Sequence, residues 1–259
     1  MESIKISFYR VNKLPRFFDF RSLCFLVTFL LVYLRRRNLQ KYLFALVFGK
    51  YIAPGMSKRL HPYKKELFSS LKEIISHDPK LKQRGSIRIL EIGVGSGTNF
   101  QYYPDNTHLI TLEPNTFFEE YFKSNKNKFP HIKIEKFLIG EAETIPDIKD
   151  GSIDAVISTL VLCSVNNLNR VLAEIKRVLC SGGKFYYMEH IGYKSGTWKR
   201  FLQNVVEIFW RPASDGCRLC APISESISEA GFKEICEKEV YLQKELFVLR
   251  RNIIGVAIA

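Results

Sequence analysis

Ile87-Arg-Ile-Leu-Glu-Ile-Gly-Val-Gly-Ser-Gly97 is an alternating apolar run that enters a turn with glycines at 93, 95 and 97. Twenty residues past Gly93, a second apolar run, Leu109-Ile-Thr-Leu112, ends on Glu113. A strand that stops at glycines can bring its backbone against a ligand, because glycine lacks a Cβ and tolerates φ > 0. A carboxylate at the tip of the next parallel strand lies beside that turn and can accept both hydroxyls of a ribose. The stretch reads as the cradle of a nucleoside-containing cofactor at the C-terminal edge of a doubly wound sheet.

Outward from this stretch, strand-like and helix-like patterns alternate, as in a parallel sheet with crossover helices. They predict strands over 87–92, 108–113, 132–138, 153–160 and 184–190, and helices near 97–103, 115–128, 167–179 and 197–210. Ala155-Val-Ile-Ser-Thr-Leu-Val-Leu162 is almost continuously apolar, as a central strand buried on both faces should be. Ser181-Gly-Gly183 is expected to end a helix and start the fifth strand, and 240–254 to form paired strands closing the sheet. Before the domain, Leu60, Tyr63, Leu67, Leu71 and Ile74 recur at helical spacing, which predicts an amphipathic helix over 61–75. Pro54-Gly55 reads as the boundary in front of it.

A length of 259 residues suits one α/β domain with an appendage. The net charge of +13 is concentrated at one end: residues 1–65 carry +12 and residues 66–259 only +1. A near-neutral body with a basic N-terminus points to an anionic membrane surface and away from nucleic acid. The apolar run Leu23–Leu34 stops at three arginines and reaches about 18 Å as a helix, short of the ~30 Å hydrocarbon core. With Tyr42–Phe48 and its flanking lysines it reads as a monotopic anchor lying in one leaflet. Residues 1–55 are therefore assigned to the anchor and 56–259 to the catalytic domain. The six cysteines hold one CxxC pair, Cys217/Cys220, and no second pair to complete a four-ligand zinc site. They read as free thiols in a reducing compartment, with no metal expected.

The spacing G-x-G-x-G matches a dinucleotide fingerprint poorly, since Thr98 and Asn99 stand where a third glycine or alanine would fall. Glu91, two residues before Gly93, would repel a pyrophosphate but would favour the positive amino group of a methionine. Glu-Ile-Gly-Val-Gly-Ser-Gly97, Glu113, Asp150-Gly-Ser-Ile-Asp154 and Ser181-Gly-Gly-Lys-Phe185 together resemble a class I S-adenosylmethionine-dependent methyltransferase. Thr159-Leu-Val-Leu-Cys-Ser-Val165, Phe185-Tyr-Tyr-Met-Glu-His190, Asp215-Gly-Cys217 and Lys64-Lys-Glu-Leu-Phe68 extend the resemblance to the membrane-associated thiol S-methyltransferases, the methyltransferase-like 7 family. Two positions depart from that pattern: Val94 replaces a cysteine, and Glu113 replaces an aspartate.

The resemblance implies a Rossmann-like, mostly parallel seven-stranded sheet with helices on both faces, and S-adenosylmethionine as cofactor. It implies cofactor contacts at Glu91, Gly93, Gly95, Gly97 and Glu113, at Glu141 and Ala142 beside the adenine, and at Leu160 beneath the methionine side. His190, at the end of strand five, is the candidate base for a thiol whose ordinary pKa of ~8.5 leaves little thiolate at pH 7. By the resemblance, Asp215 lies in the active-site loop and is the second catalytic candidate. Trp198, Phe201, Phe209 and Trp210 recur along one predicted helix and are assigned to core packing, with the lining of an apolar substrate pocket as the alternative. The acceptor expected is a small lipophilic thiol at the endoplasmic reticulum or lipid droplets. A lipid or quinone oxygen or carbon, or a binding protein without turnover, stays open.

Overall fold

The computed structural model describes residues 36–259, so the apolar run 23–34 lies outside the described residues. The chain divides between Leu39 and Gln40, and Gln40–Ala259 carries the sheet and its helices. In chain order the strands are β1 (Ile87–Ile92), β2 (Thr107–Leu112), β3 (Lys133–Leu138), β4 (Ile153–Thr159), β5 (Leu179–His190), β6 (Glu234–Tyr241) and β7 (Arg251–Ile258). The α-helices are α1 (Arg37–Val47), α2 (Ala53–Leu67), α3 (Pro79–Gln83), α4 (Glu119–Lys126), α5 (Leu168–Val178), α6 (Trp198–Ala213) and α7 (Ile223–Glu229).

The sheet runs β3-β2-β1-β4-β5-β7-β6. Strands β1 to β5 pair in parallel, and β7 enters antiparallel between β5 and β6. The strand order reverses beside β1, so the tips of β1 and β4 face a crevice where an open α/β sheet binds its ligand. Period-two alternation splits each central strand between two cores. Leu90, Ile92, Phe185 and Tyr187 pack with Leu172 and Ile175 of α5 and Ile227 of α7. Ile87, Ile89, Tyr186 and Met188 pack on the opposite side with Leu60 and Leu67 of α2 and Phe122 of α4. Each such fully buried aliphatic side chain contributes about 1.5–3 kcal/mol relative to exposure.

The structure corrects several expectations. Strand five begins at Leu179, with Ser181-Gly182-Gly183 forming an irregularity inside it: Ile153 pairs with Leu179, but Ala155 pairs with Lys184. Gly182 adopts φ +76°, and the extra residues are absorbed there without ending the strand. The helix expected over 97–103 is a turn followed by the single 3₁₀ turn Phe100–Tyr102, because Gly97 sits at φ +74° and Pro104 follows. Pro54-Gly55 does not break the chain. A π turn over Phe48–Ile52 joins α1 to α2, and Pro54 occupies the first turn of α2, where its missing N–H costs nothing. Phe44 and Phe48, assigned from sequence to the anchor, meet Phe118 edge-on at 5.9 and 6.1 Å between centroids. Among the described residues, no helix is long and apolar enough to cross a membrane.

Of the α6 aromatics expected in the core, Trp210 packs there and the other three are corrected. Trp198, Phe201 and Phe209 are 67%, 70% and 73% exposed, and Trp210 is half-buried.

Candidate active site

The tip of β1 delivers the glycine turn. Gly93, Gly95 and Gly97 all take positive φ, at +65°, +50° and +74°. The three glycines serve different needs. A methyl on Gly93 would collide with the Val161 side chain, and one on Gly97 with the Phe100 ring. Both glycines therefore let the turn pack against protein. At Gly95 a Cβ would meet only Phe118, 4.0 Å away, so its face of the turn is open.

Glu113, one residue past β2, closes on this turn. Its Oε2 accepts from Gly95 N at 2.8 Å and its Oε1 from Asn115 N at 2.9 Å. Each oxygen keeps a further lone pair, so the carboxylate fits two ribose hydroxyls without surrendering its backbone donors. Burial raises its pKa to about 7, opposed by those two N–H groups and reinforced by Asp215. The longer glutamate is thus accommodated by reaching the glycine turn directly.

Glu91 does not present an open carboxylate. It is buried, accepting from Tyr103 Oη at 2.6 Å and Asn99 Nδ2 at 2.8 Å. Burial raises its pKa to about 7 against the pull of Tyr103, Asn99 and Lys64. Lys64, from α2, is buried below it and donates to Asn99 Oδ1 at 2.7 Å and Thr98 Oγ1 at 3.1 Å. Burial lowers the lysine pKa to about 8, partly offset by Glu91. Asn99 also donates to Thr159 at the end of β4, at 3.0 Å. Lys64 was not assigned a role from sequence, because a lysine at helical spacing ordinarily faces water.

The β4 tip holds a second carboxylate that sequence reading passed over. Glu189 is buried, and its Oε1 accepts from Val161 N at 2.9 Å, Leu162 N at 3.0 Å and Ser158 Oγ at 3.2 Å. Its Oε2 is buried with no hydrogen-bond partner among the described residues. Burial raises its pKa to about 7, against the two backbone donors. The signal was an acid directly following the apolar run Phe185–Met188 within a buried strand. Directly after β4, Leu160 takes φ +60°, rare for a branched side chain and typical of functional turns. After β3, Ala142 is buried and Glu141 Oε2 accepts from Asn166 Nδ2 at 3.3 Å, tying the loops after β3 and β4 together.

His190 ends β5 and is buried, with Nε2 3.0 Å from Cys217 Sγ. Its Nδ1 is buried with no partner among the described residues. Burial pushes the imidazole down, but the Cys217 sulfur and then Glu189 outweigh it, and the net shift is upward. Cys217 also accepts from Trp210 Nε1 at 3.3 Å. The Cys163 thiol, followed by His190 and Trp210, holds the Cys217 thiol well below its ordinary pKa despite burial. Ligand atoms of Cys163, His190 and Cys217 lie within 4.8 Å of one another. The ring and the Cys217 sulfur are in direct hydrogen-bond contact. Asp215, at φ +50°, accepts from Asn115 Nδ2 at 2.8 Å, which places it beside Glu113 and apart from His190 in the hydrogen-bond network. Asn115 Nδ2 also donates to Lys41 O at 3.1 Å, so one amide joins α1, the β2 tip and the Asp215 loop.

The seven-stranded order, the glycine turn and the ribose-competent carboxylate define a S-adenosylmethionine-dependent methyltransferase. Residues 90–187 match the methyltransferase domain model. The human thiol S-methyltransferase TMT1A is 35% identical over 75% of this chain and 78% of its own length. Human TMT1B is 34% identical over 71% of this chain and 73% of its own. This chain belongs to the family of these methyltransferases. In fold it is similar to a protein solved with the Haloferax volcanii Trm112 methyltransferase activator, at TM-score 0.59 and 14% identity over 83% of this chain and 97% of that one. The [4+2]-cyclase SpnF matches at TM-score 0.54 and 17% identity, over 75% and 80% of the two chains.

Proposed function

We propose that this protein transfers the methyl group of S-adenosylmethionine to the sulfur of a small lipophilic thiol at a membrane surface. The observation that carries the acceptor class is the likeness to human thiol S-methyltransferases along most of both chains. The Gly93–Gly97 turn and Glu113 would hold the cofactor's ribose, the Glu141–Ala142 loop its adenine, and the Leu160 turn its methionine side. Bound there, the cofactor supplies a methyl group on a positively charged sulfur that needs no further activation.

The protein's remaining task is alignment, exclusion of water and removal of the thiol proton. His190 is the group suited to the last step: Cys217 holds its Nε2, leaving Nδ1 to take the proton from the acceptor sulfur. Asp215 acts through Asn115 as a positioning residue for the Glu113 carboxylate. The basic N-terminal segment would keep the enzyme where lipophilic acceptors partition, at the endoplasmic reticulum or lipid droplets.

A panel of alkyl thiols, phenols, quinols and lipids assayed with radiolabelled methyl donor tests the acceptor class. Label should appear in thioethers. Transfer only to oxygen or carbon acceptors rejects the thiol assignment, and absence of cofactor binding by calorimetry rejects the enzyme.

A further inference from the structure

Helix α6 carries its amphipathicity the wrong way round for a helix packed on a soluble core. Trp198, Phe201, Leu202, Val205, Ile208 and Phe209 are all exposed. At 100° per residue they form one stripe along the outer face. The side chain driven fully inward is polar: Gln203 is 0% exposed, accepting from Tyr193 N at 2.7 Å and donating to Val248 O at 2.9 Å. An apolar stripe facing solvent while an amide faces the core is costly unless the outer face meets an apolar phase. The surface continues past the helix, because Trp198 stacks on Phe247 at 5.5 Å and the neighbouring Leu246 is 60% exposed.

We propose that this outer face of α6 is a lipid-docking surface that lies in the headgroup–acyl boundary of an anionic membrane. Charge selects the occupant. Lys199 and Arg211 border the stripe on either side, exposed Lys194 precedes the helix, and exposed Lys244 neighbours Leu246. The one acid of α6, Glu207, is turned inward, accepting from Cys220 N at 3.1 Å. Tryptophan and phenylalanine on the apolar face with basic residues at its rim is the composition of an interfacial helix. The acid at this border, Glu245, is already paired with Arg59, so the unpaired charge facing outward is basic, which a protein partner or a second copy would not require. The same helix reaches the acceptor end of the site through Trp210 and Cys217, so docking would hold that end against the bilayer. The inference is independent of the thiol assignment and of the N-terminal anchor.

The chain's only tryptophans, Trp198 and Trp210, both lie on α6, one facing out and one in. Full-length protein is mixed with phosphatidylcholine vesicles, with and without phosphatidylserine, containing lipids brominated near the headgroup. Docking predicts a blue shift and strong quenching of Trp198 emission, lost in Trp198→Phe, where the remaining Trp210 stays unquenched. Anionic lipid should tighten the titration about ten-fold or more. Phe201→Ser/Ile208→Ser/Phe209→Ser, all at exposed positions, should keep its thermal unfolding midpoint and lose the quenching. Vesicle-bound protein whose Trp198 remains unquenched overturns the proposal while leaving an N-terminal anchor intact. Emission already blue-shifted without vesicles also overturns it, because another segment or a second copy then covers the face; concentration-dependent sedimentation identifies the copy.

Discussion

On the proposed ribose role, cofactor affinity turns on Glu113. Its two oxygens are fixed by Gly95 and Asn115, so it is oriented before any ribose arrives. Glu113→Gln removes the charge and one acceptor, and should weaken S-adenosylmethionine binding by roughly 10- to 100-fold, since hydrogen bonds to a charged group contribute about 1.5–3 kcal/mol. Calorimetric titration checks it, with an unchanged affinity contradicting the ribose role. Glu189 shares the pH dependence near neutrality with Glu91 and Glu113. Its folded pKa of about 7 exceeds its ordinary 4.5, so folding takes up a proton in that window. Its contribution to stability is fully present below about pH 4.5 and is lost as pH rises through 7. Glu189→Gln should flatten the fall of stability between pH 5 and 8 by up to about one proton, read from denaturant unfolding across that range. A slope equal to wild type would show that Glu189 is already ionised in the fold.

At the scale of elements, α2 is tied to the cofactor turn by a buried lysine. Lys64 meets Asn99 and Thr98, and Asn99 in turn meets Glu91 and Thr159, so the helix, the β1 tip and the β4 tip share one polar network. Lys64→Met keeps volume but leaves the Glu91 carboxylate without its cation. It should cost about 1–3 kcal/mol, the range for leaving a buried acceptor such as Asn99 Oδ1 without its donor. Adding Glu91→Gln should recover part of that loss. A double-mutant cycle by urea unfolding measures the coupling, and strictly additive costs would deny it. Strands β1 to β4 and helix α5 were legible because their apolar periods are strong, whereas the helix expected over 61–75 spans Ala53–Leu67 and gives way to a 3₁₀ turn over Ser69–Glu73. The bulge at Ser181–Gly183 was not legible, because a glycine pair reads equally as a helix stop or as a kink within a strand.

For the molecule as a whole, the packing of Phe44 and Phe48 on Phe118, and of Asn115 on Lys41, makes residues 40–52 part of the catalytic fold. A truncation removing residues 1–39 should therefore keep the unfolding transition and lose only the N-terminal share of membrane association in cell fractionation, the α6 face retaining the rest. One removing residues 1–52 should unfold at lower temperature. Equal stability of the two truncations would contradict the packing role.

The sequence by itself determined the sheet, the glycine turn with Glu113, and the basic bias of the N-terminus. Each rests on local period, local backbone freedom or simple charge counting. Only the tertiary structure decided that Glu91 is locked to Tyr103 and Asn99, that Lys64 and Glu189 are buried, and that His190 meets Cys217. Those relations join residues distant in the chain, and no local pattern encodes which of several polar side chains is drawn inward. The apolar face of α6 shows the same limit from the other side. Its period announces an amphipathic helix, but whether the apolar stripe faces the core or the outside depends on what the rest of the fold leaves room to cover.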